Sequence, residues 1–371
     1  GCRRSRTEKP METLMRTSFL VAVGLLALSS LASAGPPDIM NAKVVTEPAG
    51  ASLSSSVGNH LNQATEARWI AWSVPAVEGH RYLCCWGRGD KLSRRGACSL
   101  ESRDRHFVMS DGHDFDRPPE VREIAVLVRA EDHGVEEVRV YSETCQLDAG
   151  GRTFIWLESA KVDQSVAWLA SLIDEVVDLG DPEDLAEEAL LALALHEGAA
   201  ADSELASIAS AGPSGSLREE AIFWLGEARG QAGLEVLNRL LDDEMDTDIK
   251  THVAFALTLS SAPGAIDRLT TLARQDPEPE VRGDALFWLG QEGGAGAVEA
   301  IQSAVESDPS RDVREQAIFA LSQLPNGQGT DLLLEIVRDK SQEASVRQQA
   351  LFWLAQSEDD RALDLISGLL Q

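Results

Sequence analysis

The amino-acid sequence predicts an α+β fold in two domains: a small antiparallel β-domain near the N-terminus, followed by an all-α solenoid. Two observations support this prediction. Short β-branched and aromatic segments, bounded by Gly, Asp or Pro, occur between residues 67 and 161, and one eight-residue phrase recurs at a fixed period from Arg218 onward. With 371 residues and 43% hydrophobic content, the chain is long enough for two or three globular domains.

The segment 1–34 is expected to be a leader and a secretory signal peptide. A short stretch with Arg16 precedes the apolar run 19–28, and the small residues Ala32 and Ala34 follow it. This order predicts cleavage after Ala34. The alternative, an uncleaved membrane anchor, needs a longer apolar run. We therefore expect an exported protein, periplasmic or extracellular, with no membrane span after cleavage.

The chain is acidic, with 33 Lys and Arg against 61 Asp and Glu and a formal net charge of −28. Removing residues 1–34 takes away five basic and two acidic side chains, which changes the net charge to −31. Nucleic acid and anionic membranes bind clustered positive charge, so we expect neither as a partner. Another protein with a neutral or basic surface fits better, although acidity also serves solubility alone.

The β-domain is expected over residues 67–161, after a Pro-, Ala-, Ser- and Asn-rich linker or loose edge at residues 35–66. Its predicted strands cover residues 68–74, 81–86, 105–109, 123–128, 135–141 and 153–157. The segment 145–151 is typical of a hairpin loop, because its paired glycines can adopt positive φ. We expect a small antiparallel sandwich or open barrel.

Four of the five cysteines lie in this domain: Cys84, Cys85, Cys98 and Cys145. In an oxidising compartment an even set favours two disulfides. Because neighbours on a strand point to opposite faces, Cys84 and Cys85 should bind different partners, one of them Cys98 and the other Cys145. A metal site is the less favoured alternative, since the sequence has no Cys-x-x-Cys spacing.

The second domain, residues 162–371, is expected to be a stack of about six helical units. Its recurring phrase reads Arg-x-x-Ala-[Ile/Leu]-Phe-[Trp/Ala]-Leu, with a weaker copy that begins at Lys250. The phenylalanines of the phrase stand at positions 223, 255, 287, 319 and 352, so the steps are 32, 32, 32 and 33 residues. Self-similarity at this period indicates stacked supersecondary units, which build extended binding surfaces.

Two copies extend the phrase to Asp-Pro-x-x-x-Val-Arg-x-x-Ala-[Ile/Leu]-x-x-Leu, at residues 276–289 and 308–321. This pattern resembles HEAT repeats of the short, phycobilin-lyase-like type, over roughly residues 184–371. The resemblance implies a hydrogen-bonded ladder of acidic and basic side chains between adjacent units. Its expected members are Arg218, Lys250, Arg282, Arg314, Arg347, Asp276 and Asp308. We assign these residues a structural role, and we expect gaps at Arg218 and Arg347, which lack an Asp six residues earlier.

The repeated aromatic residues have two possible roles. At about 100° per residue, a helical wheel places Trp288 in the core seam, and the equivalent Trp224 and Trp353 with it. The phenylalanines fall on the far flank, where we expect them to pack between repeats. The alternative is an aromatic ladder that binds a peptide beside acidic side chains. The residues of this candidate partner-binding surface are Phe223, Phe255, Phe287, Phe319, Phe352, Glu219, Glu220, Asp284 and Glu315.

The sequence offers little sign of catalysis. Deoxyhypusine hydroxylases, which also use short HEAT-like repeats, carry several His-Glu pairs around a di-iron centre; this chain has one, His196-Glu197, which cannot supply the ligands. No phosphate-binding loop, His-Glu-x-x-His or Gly-x-Ser-x-Gly motif occurs. We therefore expect no cofactor, no metal and no catalytic site, and a scaffold for protein–protein interaction. The alternatives are an enzyme with its site near Cys84 and Cys98 in the β-domain, a metalloenzyme or lyase relative, and a self-associating envelope component.

Overall fold

The computed structural model describes residues 35–79, 82–85, 97–101, 107–110, 122–179, 183–243, 246–357 and 361. The predicted signal peptide lies outside the described residues. The described residues belong to one compact unit. Among their helices, none combines the length and the apolar character that a membrane crossing requires.

Ten strands and one helix precede the helical array in the described chain. They are β1 (Asp38–Met40), β2 (Lys43–Pro48), α1 (Leu53–Leu61), β3 (Arg68–Pro75), β4 (Tyr82–Cys85), β5 (Cys98–Ser99), β6 (Phe107–Ser110), β7 (Glu123–Glu131), β8 (Gly134–Ser142), β9 (Gln146–Asp148) and β10 (Thr153–Glu158). A central sheet has the order β2-β10-β3-β7-β8, and two smaller sheets have the orders β1-β9-β5 and β4-β6. The six predicted strands correspond to β3, β4, β6, β7, β8 and β10.

Both faces of the middle strands of the central sheet, β10, β3 and β7, are buried. Ile70 and Trp72 of β3 belong to the core shared with the helices, whereas Trp69 and Ala71 belong to a second core under the smaller sheets. Because successive side chains of a strand point to opposite faces, a strand between two cores has to be apolar at nearly every position. This constraint explains the run Trp-Ile-Ala-Trp in β3.

The central sheet is mixed, which corrects the antiparallel sheet expected from the sequence. β10 lies between β2 and β3 and runs parallel to both, while β7 lies between β3 and β8 and runs antiparallel to both. The chain does not turn back along β8. It first forms β9, which places Leu147 in the second core, and then enters the middle of the sheet. Gly150 and Gly151, at φ of 59° and 87°, turn the chain into β10, so segment 145–151 is not a hairpin loop.

The segment 35–66 is also more ordered than the linker or loose edge that the sequence predicts, because it forms β1, β2 and α1. Leu53 and Val57 of α1 are fully buried in the shared core. The Ser52 hydroxyl accepts a hydrogen bond from Ser55 N and caps the helix. The four-residue spacing of Leu53 and Val57 is typical of a helix. The Pro-, Ala-, Ser- and Asn-rich composition of the segment predicted a linker instead.

One disulfide is present among the described side chains, and it joins Cys84 of β4 to Cys145, which directly precedes β9. Cys98 is buried in the same core. The side chain of Cys85 lies outside the described residues, so a bridge from Cys85 to Cys98 stays a prediction. The Cys84–Cys145 bridge ties the smaller sheets to the chain that leads into the central sheet.

Twelve α-helices follow in the described chain. They are α2 (Val162–Leu179), α3 (Glu183–Ala194), α4 (Ala199–Ala211), α5 (Gly215–Ala228), α6 (Gly230–Asp243), α7 (Thr247–Leu259), α8 (Ala265–Gln275), α9 (Pro279–Glu292), α10 (Ala295–Ser307), α11 (Arg311–Gln323), α12 (Gln328–Arg338) and α13 (Ala344–Gln356). They pack as six consecutive pairs, from α2–α3 to α12–α13. The second helices of the pairs, α3, α5, α7, α9, α11 and α13, also contact one another in sequence, and we call this series the second-helix row.

The first helical pair is fixed to the central sheet by a buried hydrogen-bonded chain. Trp72 Nε1 donates to Ser165 Oγ at 2.7 Å, and the Ser165 hydroxyl donates to His196 Nε2 at 2.7 Å. His196 Nδ1 donates to Ala192 O, also at 2.7 Å, which fixes a neutral ring. Burial, assisted by the charge of Arg229, lowers the pKa of His196 to about 4 against the opposing effect of the Ala192 hydrogen bond. His196, the single His-Glu histidine, is therefore a structural residue of this joint.

The expected ladder includes a bidentate ion pair between successive units. Arg282 Nε and Nη2 donate to the two Asp308 carboxylate oxygens at 2.8 Å each, and Arg282 Nη1 donates to Asp276 O at 2.8 Å. Burial alone would raise the pKa of Asp308, but the hydrogen bonds from Arg282 and Ser310 N and the arginine charges outweigh it and lower that pKa. The pair joins α9 to the turn before α11.

Other ladder members make weaker contacts. Lys250 Nζ lies 3.3 Å from Asp276 Oδ2, and Arg314 Nη2 lies 3.6 Å from Glu343 Oε1. Arg218 and Arg347, where gaps are expected, donate to backbone carbonyls, Ala209 O and Gln342 O respectively. The three middle members of the ladder therefore have charged side-chain partners, whereas Arg218 and Arg347 at its two ends donate to backbone carbonyl groups.

Two glycines let neighbouring helices of the second-helix row approach closely. A Cβ atom on Gly226 of α5 would lie 2.3 Å from Ala256 O of α7, and one on Gly290 of α9 would lie 2.7 Å from Ala320 O of α11. Both distances are shorter than any carbon–oxygen contact allows. The two glycines are 64 residues apart, twice the repeat period, so the joints alternate.

We expect Gly226→Ala to reduce the free energy of unfolding by roughly 1–3 kcal/mol, because the added methyl group meets backbone that cannot move without separating α5 from α7. The matched control is Gly296→Ala in α10, where an added Cβ meets no atom within 4 Å. In that variant the free energy of unfolding should increase by roughly 0.5–1 kcal/mol, because alanine is a better helix former than glycine. Urea denaturation followed by circular dichroism measures both, and equal effects would contradict the close-approach explanation.

Arg282→Met should destabilise the array by roughly 3–5 kcal/mol, because it leaves the buried Asp308 carboxylate without its charged partner. The control is Arg311→Gln, which breaks the exposed Arg311–Glu315 pair within one helix and should cost less than about 0.5 kcal/mol. Thermal unfolding at neutral pH compares the two variants. A similar small loss in both would show that Arg282 acts as a surface residue.

Candidate functional site

A continuous series of aromatic rings runs along the second-helix row, and we call it the aromatic row. In order of contact its members are Trp224, Phe223, Phe255, Trp288, Phe287, Phe319, Trp353 and Phe352, and the ring centroids of each consecutive pair lie within 6.3 Å of each other. The repeat period sets this arrangement, because it places one Phe at the same position in each helix of the second-helix row from α5 to α13.

The rings meet in two geometries that alternate along the row. Phe287 and Phe319 are stacked, with centroids 5.9 Å apart and ring planes 14° apart, at the joint that Gly290 allows to close. Between α11 and α13, Trp353 lies 4.6 Å from Phe319 at a tilt of 38°. The α5–α7 and α7–α9 joints repeat the same two geometries. A tryptophan thus fills the joints at which no glycine draws the helices together.

The expected packing between repeats is therefore present, and the rings also remain accessible. Phe223, Phe255, Phe287 and Phe319 are half-buried, and Phe352 at the last described helix is 54% exposed. Trp224 is buried, as the helical wheel predicts. Trp288 and Trp353 also pack against the main core, but they differ from that prediction because they are only half-buried, and each contacts the Phe of the preceding unit.

Acidic side chains lie beside the aromatic row, at the start of the same phrase. Trp224 Nε1 donates to Glu220 Oε1 at 3.2 Å, which joins the two sets directly. His252 Nε2 lies 3.2 Å from Glu219 Oε2 of the neighbouring helix. Glu315 accepts a hydrogen bond from Arg311 within its own helix. The surface of the second-helix row therefore presents aromatic faces together with negative charge.

Two of these carboxyl groups, Glu220 and Asp284, have a raised pKa. Burial, with a contribution from nearby Glu187, raises the pKa of Glu220 to about 7, and the Trp224 hydrogen bond opposes the shift. Burial and the charge of Glu280 likewise raise the pKa of Asp284, while His252 opposes that shift. A cation placed next to these carboxylates would stabilise the charged forms.

The described part of the β-domain offers little support for an enzyme site near Cys84 and Cys98. The sulfur of Cys84 is bonded to Cys145 and so is no free nucleophile. Among the side chains that the structure describes, no cluster of three or more His, Cys, Asp and Glu residues is placed to hold a metal ion. Trp72, Ser165 and Arg229 were not predictable as partners of His196, because no repeat or motif connects them.

Comparisons with known proteins bear on the helical part. The family model described as HEAT repeats matches residues 203–290 and 266–344. A search of curated proteins finds no match. Three solved structures are similar at low identity. Human deoxyhypusine hydroxylase in complex with glycerol is 16% identical, covering 52% of this chain and 85% of its own, with a TM-score of 0.23.

The complex of CpcE and CpcF of phycocyanin lyase from Nostoc sp. PCC7120 is 22% identical, covering 43% of this chain and 99% of its own, with a TM-score of 0.32. YibA of E. coli is 15% identical, and the match covers 56% of this chain and 80% of YibA, with a TM-score of 0.33. At these values the structures carry no argument about activity. The family match and the six stacked helix pairs agree on the fold: the helices form a HEAT-like array, and residues 203–344 of it are similar to HEAT repeats.

Proposed function

We propose that this protein is an exported, non-catalytic scaffold that binds another protein along the second-helix row. The aromatic row is the observation that carries the proposal, because half-buried rings in a continuous series offer large apolar contact area at low conformational cost. HEAT arrays are built to present such extended surfaces. The export part of the proposal is supported by the apolar leader sequence and by the disulfide in the β-domain.

The charge of this surface favours a neutral or basic partner. Glu220 and Asp284 are both partly buried carboxyl groups whose negative charge the surroundings do not fully compensate. A Lys or Arg side chain of the partner would supply that compensation and could also lie over the face of an aromatic ring. The net charge of −28 attracts basic proteins at longer range.

The unfavourable charge of Glu220 can be tested without a partner. Because its pKa is raised in the folded state, folding binds a proton between roughly pH 4.5 and 7, and stability falls as the pH rises through that range. Glu220→Gln, which can still accept the Trp224 hydrogen bond, should therefore unfold at a higher temperature than the parent protein at pH 8 and at a similar temperature at pH 4.5. Glu315→Gln, which loses the ion pair with Arg311, should show no increase in unfolding temperature at pH 8.

Partner binding is tested by capture from the exported protein fraction of the source cells, followed by titration of the purified partner. Phe352→Ala should weaken binding at least roughly tenfold without unfolding, since its ring is 54% exposed. Leu179→Ala is the control, because Leu179 is an exposed apolar residue at the end of α2, outside the second-helix row. Equal binding by the parent protein and the Phe352 variant would place the partner elsewhere.

A further inference from the structure

Exposed apolar side chains are concentrated in β1 and in β2, and β2 is an edge strand of the central sheet. Five large hydrophobic residues are exposed in the described part of the chain, and three of them, Met40, Val44 and Val45, lie in β1 and β2. Val44 is 42% exposed and Val45 is 37% exposed. Proteins normally protect a sheet edge by charge, by proline or by a covering element. An exposed apolar edge strand is a surface for pairing with another strand.

The two edges of the central sheet differ in this respect. At the opposite edge, the Val138 N–H of β8 donates to Glu188 Oε2 of α3 at 2.9 Å, so a helix of the array covers that strand. At the β2 edge, Lys43 N donates to Arg152 O and Ala49 N donates to Glu158 O, which directs the odd-numbered residues toward β10. The backbone N–H and C=O groups of Val44 and Thr46 therefore point away from the sheet.

We propose that β2 pairs antiparallel with β2 of a second copy of this chain, joining two five-stranded sheets across a two-fold axis. Val45 would lie opposite Val45 of the second copy, and Val44 opposite Thr46. This register brings the outward-facing residues of both strands into hydrogen-bonded pairs, with four backbone hydrogen bonds. The shift that opposes Val44 to its own equivalent leaves two such bonds within β2. The shift that opposes Val44 to Pro48 also allows four, two of them to the Pro48 carbonyl because Pro48 has no N–H, but it no longer places Lys43 opposite Glu47.

The side chains are self-complementary in the same register. Lys43 of one copy lies opposite Glu47 of the other, and the two-fold axis repeats this pair. Val45 meets its own equivalent between the two charged pairs, on the same face of the sheet. The interface is short and both copies are acidic, so we expect a weak dimer, on the order of micromolar, that forms when about 0.1–0.15 M salt screens the long-range repulsion.

Sedimentation equilibrium of the purified chain over a concentration series tests the proposal, and we expect a monomer–dimer equilibrium. Thr46→Pro should raise the dissociation constant at least roughly tenfold, since it removes two of the four donors. It should leave the fold intact, because Thr46 N–H does not point toward β10. Thr46→Val keeps the N–H group and should dimerise like the parent protein. A monomer at every concentration, or a dimer that survives Thr46→Pro, would overturn the proposal.

The register has an independent test. In a non-hydrogen-bonded antiparallel pair, opposite Cβ atoms lie about 4.5–5.5 Å apart, close to disulfide geometry. Val45→Cys should therefore form a covalent dimer under mild oxidation, visible on a non-reducing gel. Val44→Cys lies opposite Thr46 in the second copy and should cross-link at least roughly tenfold more slowly. Equal cross-linking by both variants would show random collision and overturn the paired-strand arrangement.

Discussion

The structure depends on one constraint: a single helical pair cannot bury its own apolar surface, so every unit needs a neighbour on both sides. The central sheet supplies that neighbour for the first pair. Its helix-facing side shares one continuous core with the array, and the buried chain Trp72–Ser165–His196 fixes the first pair to β3. Arg229 extends the joint to the second pair, where it binds Asp202 and the carbonyl of Ala194 at the end of α3. The β-domain therefore serves as a cap on the first unit of the array.

The same constraint shapes the surface of the second-helix row. Neighbouring second helices have to touch along their length, and the chain meets this need in two alternating ways, by glycine where the backbones approach and by tryptophan where they do not. Both solutions bring the rings of successive units together without covering them. Packing between repeats and an exposed aromatic surface are thus two consequences of one arrangement. The carboxyl groups of Glu220 and Asp284, beside the aromatic row, are partly buried in the same arrangement.

Much of the fold was predictable, for identifiable reasons. The repeated Phe and Arg positions specified the array, since a fixed period leaves few alternatives. Six strands were predicted because each is long and apolar enough to be distinct from its surroundings. The strands β1, β5 and β9 are two or three residues long and give no period, and β2 is exposed along an edge and so lacks the buried pattern. The partner of Cys84 remained open between Cys98 and Cys145, because spacing does not determine connectivity.

The sequence by itself determined the existence and period of the array, the residues that recur in it and the helix positions at which they stand, because these follow from local periodicity. It also determined that β3 and β7 are buried strands, since an apolar run of that composition has few other structures. Tertiary structure alone decided that β10 enters the sheet parallel between β2 and β3, that Arg282 binds an aspartate 26 residues later, and that Trp288 contacts Phe255. Each of these depends on which distant segments meet, and the free energy of such contacts comes from burial shared between elements that no local pattern connects.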